Sequence, residues 1–217
     1  MTVISVPPWP RRGIYVLTPD DGSGIEHLVQ QVRQALAGRV AAVQLRSKSL
    51  RGSTRLAAAR ALVRLCHADG VPLIVNDDAE LAAAAGAAGV HIGRDDGTLA
   101  DARRLLGPAR IIGVSCYDSL SRATEACAMG ADYVAFGSVY PSISKPEAAR
   151  CALSVLSAAA TRLPVPVVAI GGITPENART LVAAGASMLA VISAVFATPD
   201  PAAATRAFAA AFADEGG

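Results

Sequence analysis

Two acidic side chains that each follow an apolar run could bind a metal ion. Asp77 comes after one such run and Asp96 after the next. Mg²⁺ usually takes one or two protein carboxylates and keeps its other positions for water and substrate phosphate. Because no cluster of cysteine and histidine competes, zinc is not expected. The sequence predicts a Mg²⁺ site at Asp77 and Asp96. The alternative is that these acids cap the following helices, as we expect for Asp78 and Asp95.

Basic side chains stand at corresponding places after other apolar runs. Arg46 and Lys48 follow the second run, and Lys145 lies in the loop after the sixth. Any one of them could be a solvated surface charge. Three cations at one end of a fold instead predict an anion site, and their charge suits a highly charged group that a divalent metal also holds.

A pair of glycines, Gly171 and Gly172, ends another apolar run, and Ser193 ends the last one. Glycine has no Cβ, so its backbone amide can approach a ligand closely. Amides near a helix N-terminus favour an anion. These positions predict a site for a single phosphate. The alternative interpretation of the glycines is tight packing at a turn.

Eight apolar runs alternate with helical segments and supply the elements that would position these residues. Buried parallel strands read as nearly continuous apolar runs. The runs are 13–17, 41–45, 72–75, 89–92, 110–114, 133–136, 167–170 and 188–192. The helical segments are 25–37, 54–68, 78–85, 98–106, 120–129, 147–162, 175–184 and 201–211. This pattern predicts the α/β class and a single (β/α)₈ TIM barrel.

An open, doubly wound sheet is the alternative fold. It is disfavoured because no Gly-x-Gly-x-x-Gly follows the first run. In a (β/α)₈ barrel, chemistry takes place at the carboxyl ends of the strands. The polar residues named above would therefore meet in one site. His91, inside an apolar run, could be a packed, hydrogen-bonded histidine or a catalytic one.

Composition limits the class of protein and its partners. The 217 residues suit one domain spanning 1–217, with 1–12 as a loose, proline-rich lead-in. A net charge of +2 with no basic run gives no reason to expect nucleic acid or a membrane as partner. Four cysteines without metal or disulfide spacing indicate reduced thiols, so we expect a cytoplasmic protein that binds small molecules. A homo-oligomer is compatible with the sequence.

The ordered motifs resemble those of the thiamine phosphate synthase family, a family of (β/α)₈ barrels. The resemblance extends from Tyr15 to Ser193. The markers are Gln-Leu-Arg-Ser-Lys at 44–48, Asn76-Asp77, Gly-Val-His-Ile-Gly at 89–93 with Asp96, Gly-Val-Ser at 113–115, Gly-Ala-Asp-Tyr-Val at 130–134, Pro-Ser-Ile-Ser-Lys at 141–145, Ala-Ile-Gly-Gly-Ile at 169–173 and Val-Ile-Ser at 191–193.

This resemblance implies that the protein joins hydroxymethylpyrimidine diphosphate to a thiazole phosphate and releases diphosphate. The matching positions imply a role for each site residue. Residues that hold the pyrimidine diphosphate would be Gln44, Arg46, Lys48, Asn76, Ser115 and Lys145. Ser47, in the same segment, would also bind substrate. Those that hold the thiazole phosphate would be Ser142, Ile143, Ser144, Gly172, Ile192 and Ser193. Asp77 and Asp96 would bind Mg²⁺, and the catalytic residues would be Lys145, Arg46, Lys48 and Ser115.

The implied mechanism is dissociative, because the aminopyrimidine ring stabilises the cation left when diphosphate departs. The protein then needs to neutralise the leaving group and orient the thiazole, without a covalent nucleophile. Departures from the family pattern are Ser47 in place of glutamate, Ser142 and Ser144 in place of threonines, Arg94 in place of glutamine, and Tyr117 where many relatives have histidine. A thiazole phosphate tautomerase of the same barrel family would need that histidine. A non-catalytic sensor of phosphate ligands is a third hypothesis.

Overall fold

Eight parallel strands close into a barrel in the computed structural model, which describes residues 7–141 and 150–213. Each strand pairs with the next in sequence, and β8 pairs with β1, as in a single (β/α)₈ barrel. This confirms the predicted fold. The strands are β1 (Gly13–Leu17), β2 (Ala42–Leu45), β3 (Leu73–Asn76), β4 (Gly89–Ile92), β5 (Ile111–Tyr117), β6 (Tyr133–Phe136), β7 (Val167–Ile170) and β8 (Met188–Val191).

Helices connect the strands and cover the outside of the barrel. They are α1 (Ile25–Ala37), α2 (Gly52–Ala68), α3 (Ala79–Ala85), α4 (Leu99–Leu106), α5 (Leu120–Ala128), α6 (Leu153–Arg162), α7 (Pro175–Ala183), α8 (Ser193–Phe196), α9 (Pro201–Ala207) and α10 (Ala209–Phe212). Short polar caps start several of them; for example, the Thr98 side chain accepts a hydrogen bond from the Asp101 amide at the start of α4.

Two apolar clusters form the core. The larger lies between the strands and the helices, and it buries residues such as Val43, Leu62 and Leu181 completely. The smaller fills the inside of the barrel and contains Tyr15 and Tyr133, which are 1% and 0% exposed. Strand side chains alternate between these two clusters, because successive residues point to opposite faces of a sheet.

Most strand and helix boundaries lie within two residues of the predicted ones, and four differences are larger. β5 continues past the expected end to Tyr117, because after a bulge Tyr117 still pairs with Phe136 of β6. Of the predicted helix 147–162, the described part begins at Leu153. The short helix α8 follows β8 directly and lies outside the predicted segment 201–211. The last predicted helix is divided at Phe208, whose side chain is fully buried.

Part of the predicted lead-in lies among the described residues. The Trp9 ring stacks on the Tyr133 ring with a centroid separation of 3.8 Å and contacts Tyr15 edge-on at 5.2 Å. This segment is thus in contact with the inside of the barrel. Within the described ranges, no helix combines the length and the apolar composition needed to cross a bilayer.

Candidate active site

An open cavity of about 600 Å³ lies beside the ends of β2, β3 and β4. Four of the predicted site residues line it: Ser47, Lys48, Asp77 and Asp96. The sequence placed these side chains on three different strand ends, and the barrel brings them to one cavity. Acidic and basic groups therefore face the same space, an arrangement that suits a polyanion held together with a cation.

The position of Asp96 depends on the turn that follows β4. Its Oδ2 atom accepts a hydrogen bond from the Gly93 amide at 2.8 Å. A Cβ at position 93 would lie 2.6 Å from that oxygen, so a side chain here would displace the Asp96 carboxylate. The loop thus folds back on the strand end and holds the Asp96 carboxylate beside the cavity.

Asp77 has an unusual backbone conformation at the end of β3. Its φ is 65°, in the left-handed region that few residues other than glycine, asparagine and aspartate adopt. The Asp77 amide donates to the carbonyl of His91 at 2.8 Å, and the Asn76 side-chain amide donates to Asp77 Oδ2. These bonds fix the residue at the cavity wall.

The neighbouring acids test the alternative in which these carboxylates only cap helices. Asp78 does cap α3, since its Oδ1 accepts from the Leu81 amide at 2.8 Å. The prediction for Asp95 was wrong, because Thr98 is the N-cap of α4. Neither Asp77 nor Asp96 is the N-cap of a helix. Both residues line the cavity.

These two carboxylates fit Mg²⁺ in number and chemistry. The ion needs only one or two protein oxygens, with open positions for water and phosphate. Within residues 7–141 and 150–213, no three or more histidine, cysteine or acidic side chains converge on a common point. The carboxylate pair is the donor set that the sequence predicts for Mg²⁺, and both members line the cavity.

Asp20, at the end of β1, fixes the conformation of the segment after β2. Its carboxylate accepts bonds from the Lys48 amide at 2.7 Å, from the Ser49 amide at 3.1 Å and from the Ser47 hydroxyl at 3.2 Å. Partial burial works to raise the pKa of the Asp20 carboxyl, but these hydrogen bonds outweigh it and lower that pKa. Thr18 holds the residue before the segment, since its hydroxyl bonds both the amide and the carbonyl of Arg46.

Two arginines at the N-terminal end of α2 line the cavity although sequence reasoning did not select them. Arg51 lies at the start of the helix, and Arg55 donates to the Asp78 carboxylate at 2.8 Å and to the carbonyl of Asn76 at 3.5 Å. The buried Nε of Arg55 has no hydrogen-bond partner among the described residues. The sequence did contain a signal for these two arginines. They lie at the start of the helix that follows the predicted anion-binding segment, so their charges could have been expected near the same anion.

Inside the barrel, hydrogen bonds connect Gln44 to Ser115. Gln44 Nε2 donates to the Tyr15 hydroxyl at 2.7 Å, and that hydroxyl lies 3.0 Å from the Tyr133 hydroxyl. Tyr133 is 2.9 Å from His91 Nδ1, and His91 Nε2 is 2.8 Å from the Ser115 hydroxyl. We call these five residues the interior chain. His91 is therefore a packed, hydrogen-bonded residue, one of the two interpretations given above.

The glycine pair after β7 packs tightly and also leaves an amide accessible. A Cβ on Gly172 would lie 2.2 Å from the carbonyl oxygen of Pro141, so close packing explains part of its presence. Among the described residues, no carbonyl accepts a hydrogen bond from the backbone amide of Gly172 or of Ser193. Ser193 is exposed and Ile192 is half-buried. Both interpretations of the glycines thus have support.

Four predicted site residues lie outside the described residues: Ser142, Ile143, Ser144 and Lys145. Of the others, Arg46 and Asn76 are half-buried at their strand ends. At position 117 the structure has a tyrosine whose ring lies 5.0 Å from the Arg94 guanidinium and 5.9 Å from that of Arg122. The position where a tautomerase is expected to need a histidine is therefore occupied by a tyrosine ring close to two guanidinium groups.

Comparison with known proteins gives the family. Residues 14–195 match the family model described as thiamine monophosphate synthase. The thiamine-phosphate synthase of Aromatoleum aromaticum is 52% identical over 201 residues, covering 93% of this chain and 96% of the relative. That of Thiobacillus denitrificans is 54% identical over 188 residues, covering 87% and 89%.

A solved structure, the thiamine phosphate pyrophosphorylase from Pyrococcus furiosus, superposes with a TM-score of 0.84 at 34% identity. The match covers 93% of this chain and 95% of that one. Sequence and fold agree over nearly the whole barrel, including both strand ends that carry the cavity acids. The chain belongs to the thiamine monophosphate synthase family.

Proposed function

We propose that this protein is a thiamine-phosphate synthase, a transferase that joins hydroxymethylpyrimidine diphosphate to thiazole phosphate and releases diphosphate. The observation that carries the proposal is the shared cavity, where Asp77 and Asp96 face Lys48. A tautomerase acting on a monophosphate would have less need of paired carboxylates and cations in one wall. The family membership of the chain supports the same activity.

The main electrostatic task of the site is to neutralise the charge of the leaving diphosphate. Arg46, Lys48 and Lys145 neutralise its charge, and Arg51 adds a further cation at the cavity wall. The segment 47–49, braced by Asp20, presents Ser47 and Lys48 in a fixed conformation. Groups placed before the reaction lower its barrier, because no reorganisation is needed as charge develops.

Asp77 and Asp96 are the residues that would hold Mg²⁺. When bound, this ion neutralises the charge that develops on the departing diphosphate. Asn76 keeps Asp77 in place through its side-chain amide, and Gly93 does the same for Asp96 through its backbone amide.

The pyrimidine ring would be recognised at the mouth of the barrel. Gln44 is 2% exposed, and its Oε1 atom has no hydrogen-bond partner within the described residues. A buried amide oxygen without a partner costs about 1–3 kcal/mol, so a ligand donor here recovers that energy. The amino group of the pyrimidine is such a donor, and Ser115 would contact the same substrate.

The thiazole phosphate would bind where β7 and β8 end. The amides of Gly172 and Ser193 are available as donors, and Ile192 directly precedes Ser193. Ser142, Ile143 and Ser144 would complete this binding site from the loop after β6. The thiazole nitrogen then attacks the pyrimidine cation, so the chain needs to orient the nucleophile but not to activate it.

Incubation of the protein with both substrates and Mg²⁺ tests the function. We expect diphosphate and thiamine phosphate in equal amounts, and no product when excess chelator is present. Proton exchange on thiazole phosphate alone, without a need for the pyrimidine, would instead indicate the tautomerase. Tight binding with no product would indicate a sensor. The cytoplasmic location, the single-domain boundaries and a homo-oligomer remain predictions.

A further inference from the structure

We propose that Tyr15 and Tyr133 are positioning residues that set the hydrogen-bonding polarity of the pyrimidine site. They orient the Gln44 amide so that its oxygen faces the substrate as an acceptor. Through His91 they also leave the Ser115 hydroxyl proton available as a donor. This inference rests on the proposed function, and it concerns how the site distinguishes one pyrimidine from another.

The interior chain is buried along its central part. Tyr15 is 1% exposed, Tyr133 is 0% exposed and His91 is 8% exposed. Each of its four contacts is between 2.7 and 3.0 Å. Water has little access to these groups, so each tyrosine hydroxyl must find its hydrogen-bond donors and acceptors within the interior chain.

Both phenols keep their protons at neutral pH. Burial is the largest cause, and it raises the pKa of Tyr15 and of Tyr133 above the ordinary value. A neutral phenol has one proton to donate and lone pairs with which to accept. The direction of the chain is therefore decided by the groups at its ends.

Counting protons gives that direction. Gln44 Nε2 can only donate, so the Tyr15 hydroxyl accepts from it and gives its own proton to Tyr133. Tyr133 then donates to His91 Nδ1, which leaves the His91 proton on Nε2.

The hydrogen bond between His91 and Ser115 determines which group Ser115 presents to the substrate. His91 Nε2 donates to the Ser115 oxygen, so the serine hydroxyl proton is directed elsewhere. Ser115 is half-buried at the carboxyl half of β5, where substrate can reach it. At the other end, Gln44 Oε1 is left as an unpartnered acceptor among the described residues.

Packing holds the two phenols in place. Trp9 stacks on Tyr133 with ring planes 7° apart, and the Tyr15 ring meets the Tyr133 ring edge-on at 6.0 Å. Position 113 has no side chain, and a Cβ there would lie 1.9 Å from Tyr133 Cζ. The Tyr133 ring therefore occupies a space that only glycine at position 113 leaves open.

An aminopyrimidine complements this polarity. Its exocyclic amino group donates to an acceptor such as Gln44 Oε1, and its ring nitrogens accept from a donor such as the Ser115 hydroxyl. The 4-oxo analogue has a carbonyl in place of the amino group, so it would face Gln44 Oε1 with another acceptor. A buried polar group left unpaired is the strongest source of discrimination between similar ligands.

The test compares the amino substrate with its 4-oxo diphosphate analogue in Tyr15→Phe, Tyr133→Phe and the wild-type protein. We expect the ratio of kcat/KM for amino over oxo to fall by about tenfold or more in either variant, because the Gln44 amide or the His91 proton is no longer fixed. In the double variant this ratio should fall little further than in either single variant, because both changes interrupt the same interior chain. An unchanged ratio, with both substrates slowed equally, would overturn the proposal.

Thr205→Val is the matched control. It removes a hydroxyl that is 2% exposed and that donates to the Pro201 carbonyl, far from the barrel interior. Its unfolding transition should shift like that of the tyrosine variants, while its amino-to-oxo ratio stays at the wild-type value. If the amino-to-oxo ratio also fell in Thr205→Val, its fall in the tyrosine variants would be explained by lost stability, and the proposal would be wrong.

The ¹⁵N chemical shifts of the His91 ring provide a readout that needs no turnover. We expect the proton on Nε2 in the wild type and a mixture of tautomers in Tyr133→Phe. A wild-type proton on Nδ1 would overturn the direction of the chain. If the wild type turns over neither substrate, the proposed function fails, and the tautomer measurement still decides the role of Tyr133.

Discussion

One carboxylate oxygen of Asp20 lies 2.7 Å from the backbone nitrogen of Lys48, across 28 positions of sequence. The other oxygen accepts from the Ser49 amide and hydroxyl, at 3.1 and 2.6 Å. A single side chain at the end of β1 therefore fixes the segment that presents Lys48 to the cavity. This bracing connects the first strand to the proposed diphosphate site.

Asp20→Ala should weaken substrate binding more than it slows the chemical step. Without the carboxylate, the segment 47–49 has to be ordered by the substrate, which costs binding energy. We expect KM for the pyrimidine diphosphate to rise about tenfold, with KM for thiazole phosphate little changed. Asp21→Ala is the control, because that carboxylate bonds only to Ser23 in the described structure. Equal KM effects for both substrates would contradict the assignment.

Replacing the cavity carboxylates should change the Mg²⁺ requirement. Asp77→Asn and Asp96→Asn each keep the size of the side chain but remove a negative charge. We expect half-maximal activity to need at least about tenfold more Mg²⁺ in either variant, because hard cations prefer charged oxygen ligands. Activity measured against Mg²⁺ concentration provides the comparison.

Asp78→Asn is the control for this series. The residue lines the same cavity but caps α3 and pairs with Arg55. Asparagine caps helices about as well as aspartate, so we expect a small loss of stability and an unchanged Mg²⁺ requirement. The metal assignment is wrong if all three variants shift that requirement alike.

Ser115→Ala should reduce kcat/KM beyond any effect of the unpaired His91 N–H on stability. The hydroxyl lies 2.8 Å from His91 Nε2, and it is the end of the interior chain nearest the proposed substrate. Removing one donor to the substrate should lower kcat/KM by about tenfold or more. Ser119→Ala offers a contrast, because this serine caps α5 through the Arg122 amide at 3.2 Å. It should cost about 1 kcal/mol of unfolding free energy and leave turnover unchanged.

Alkaline pH should destabilise the fold through Cys66. Burial is the main cause that raises the pKa of its thiol from 9.0 to about 12. Between these values the unfolded chain loses the proton and the folded chain keeps it, so rising pH favours unfolding. The stability difference between wild type and Cys66→Ala should fall by about 1.4 kcal/mol per pH unit above pH 9. Urea titrations under reducing conditions at pH 8, 10 and 11 measure it; a constant difference would contradict the burial of this thiol.

The sequence by itself determined the barrel and most of its strands. β1, β4, β6 and β7 have the predicted limits, because a strand buried on both faces needs an uninterrupted apolar run. β5 ran longer than its apolar run, since pairing of Tyr117 depends on Phe136 of the neighbouring strand. Local composition contains no information about that partner.

The same division applies to the site. Strand ends in a parallel barrel all meet at one face, so Asp77, Asp96 and Lys48 could be grouped from their order alone. Only the tertiary structure revealed that Asp20 braces the residues around Lys48. It also brought the Tyr15 hydroxyl to that of Tyr133, 118 positions away in the chain. A tyrosine in an apolar run signals that its hydroxyl needs a partner, but which partner it finds is decided by packing across the barrel.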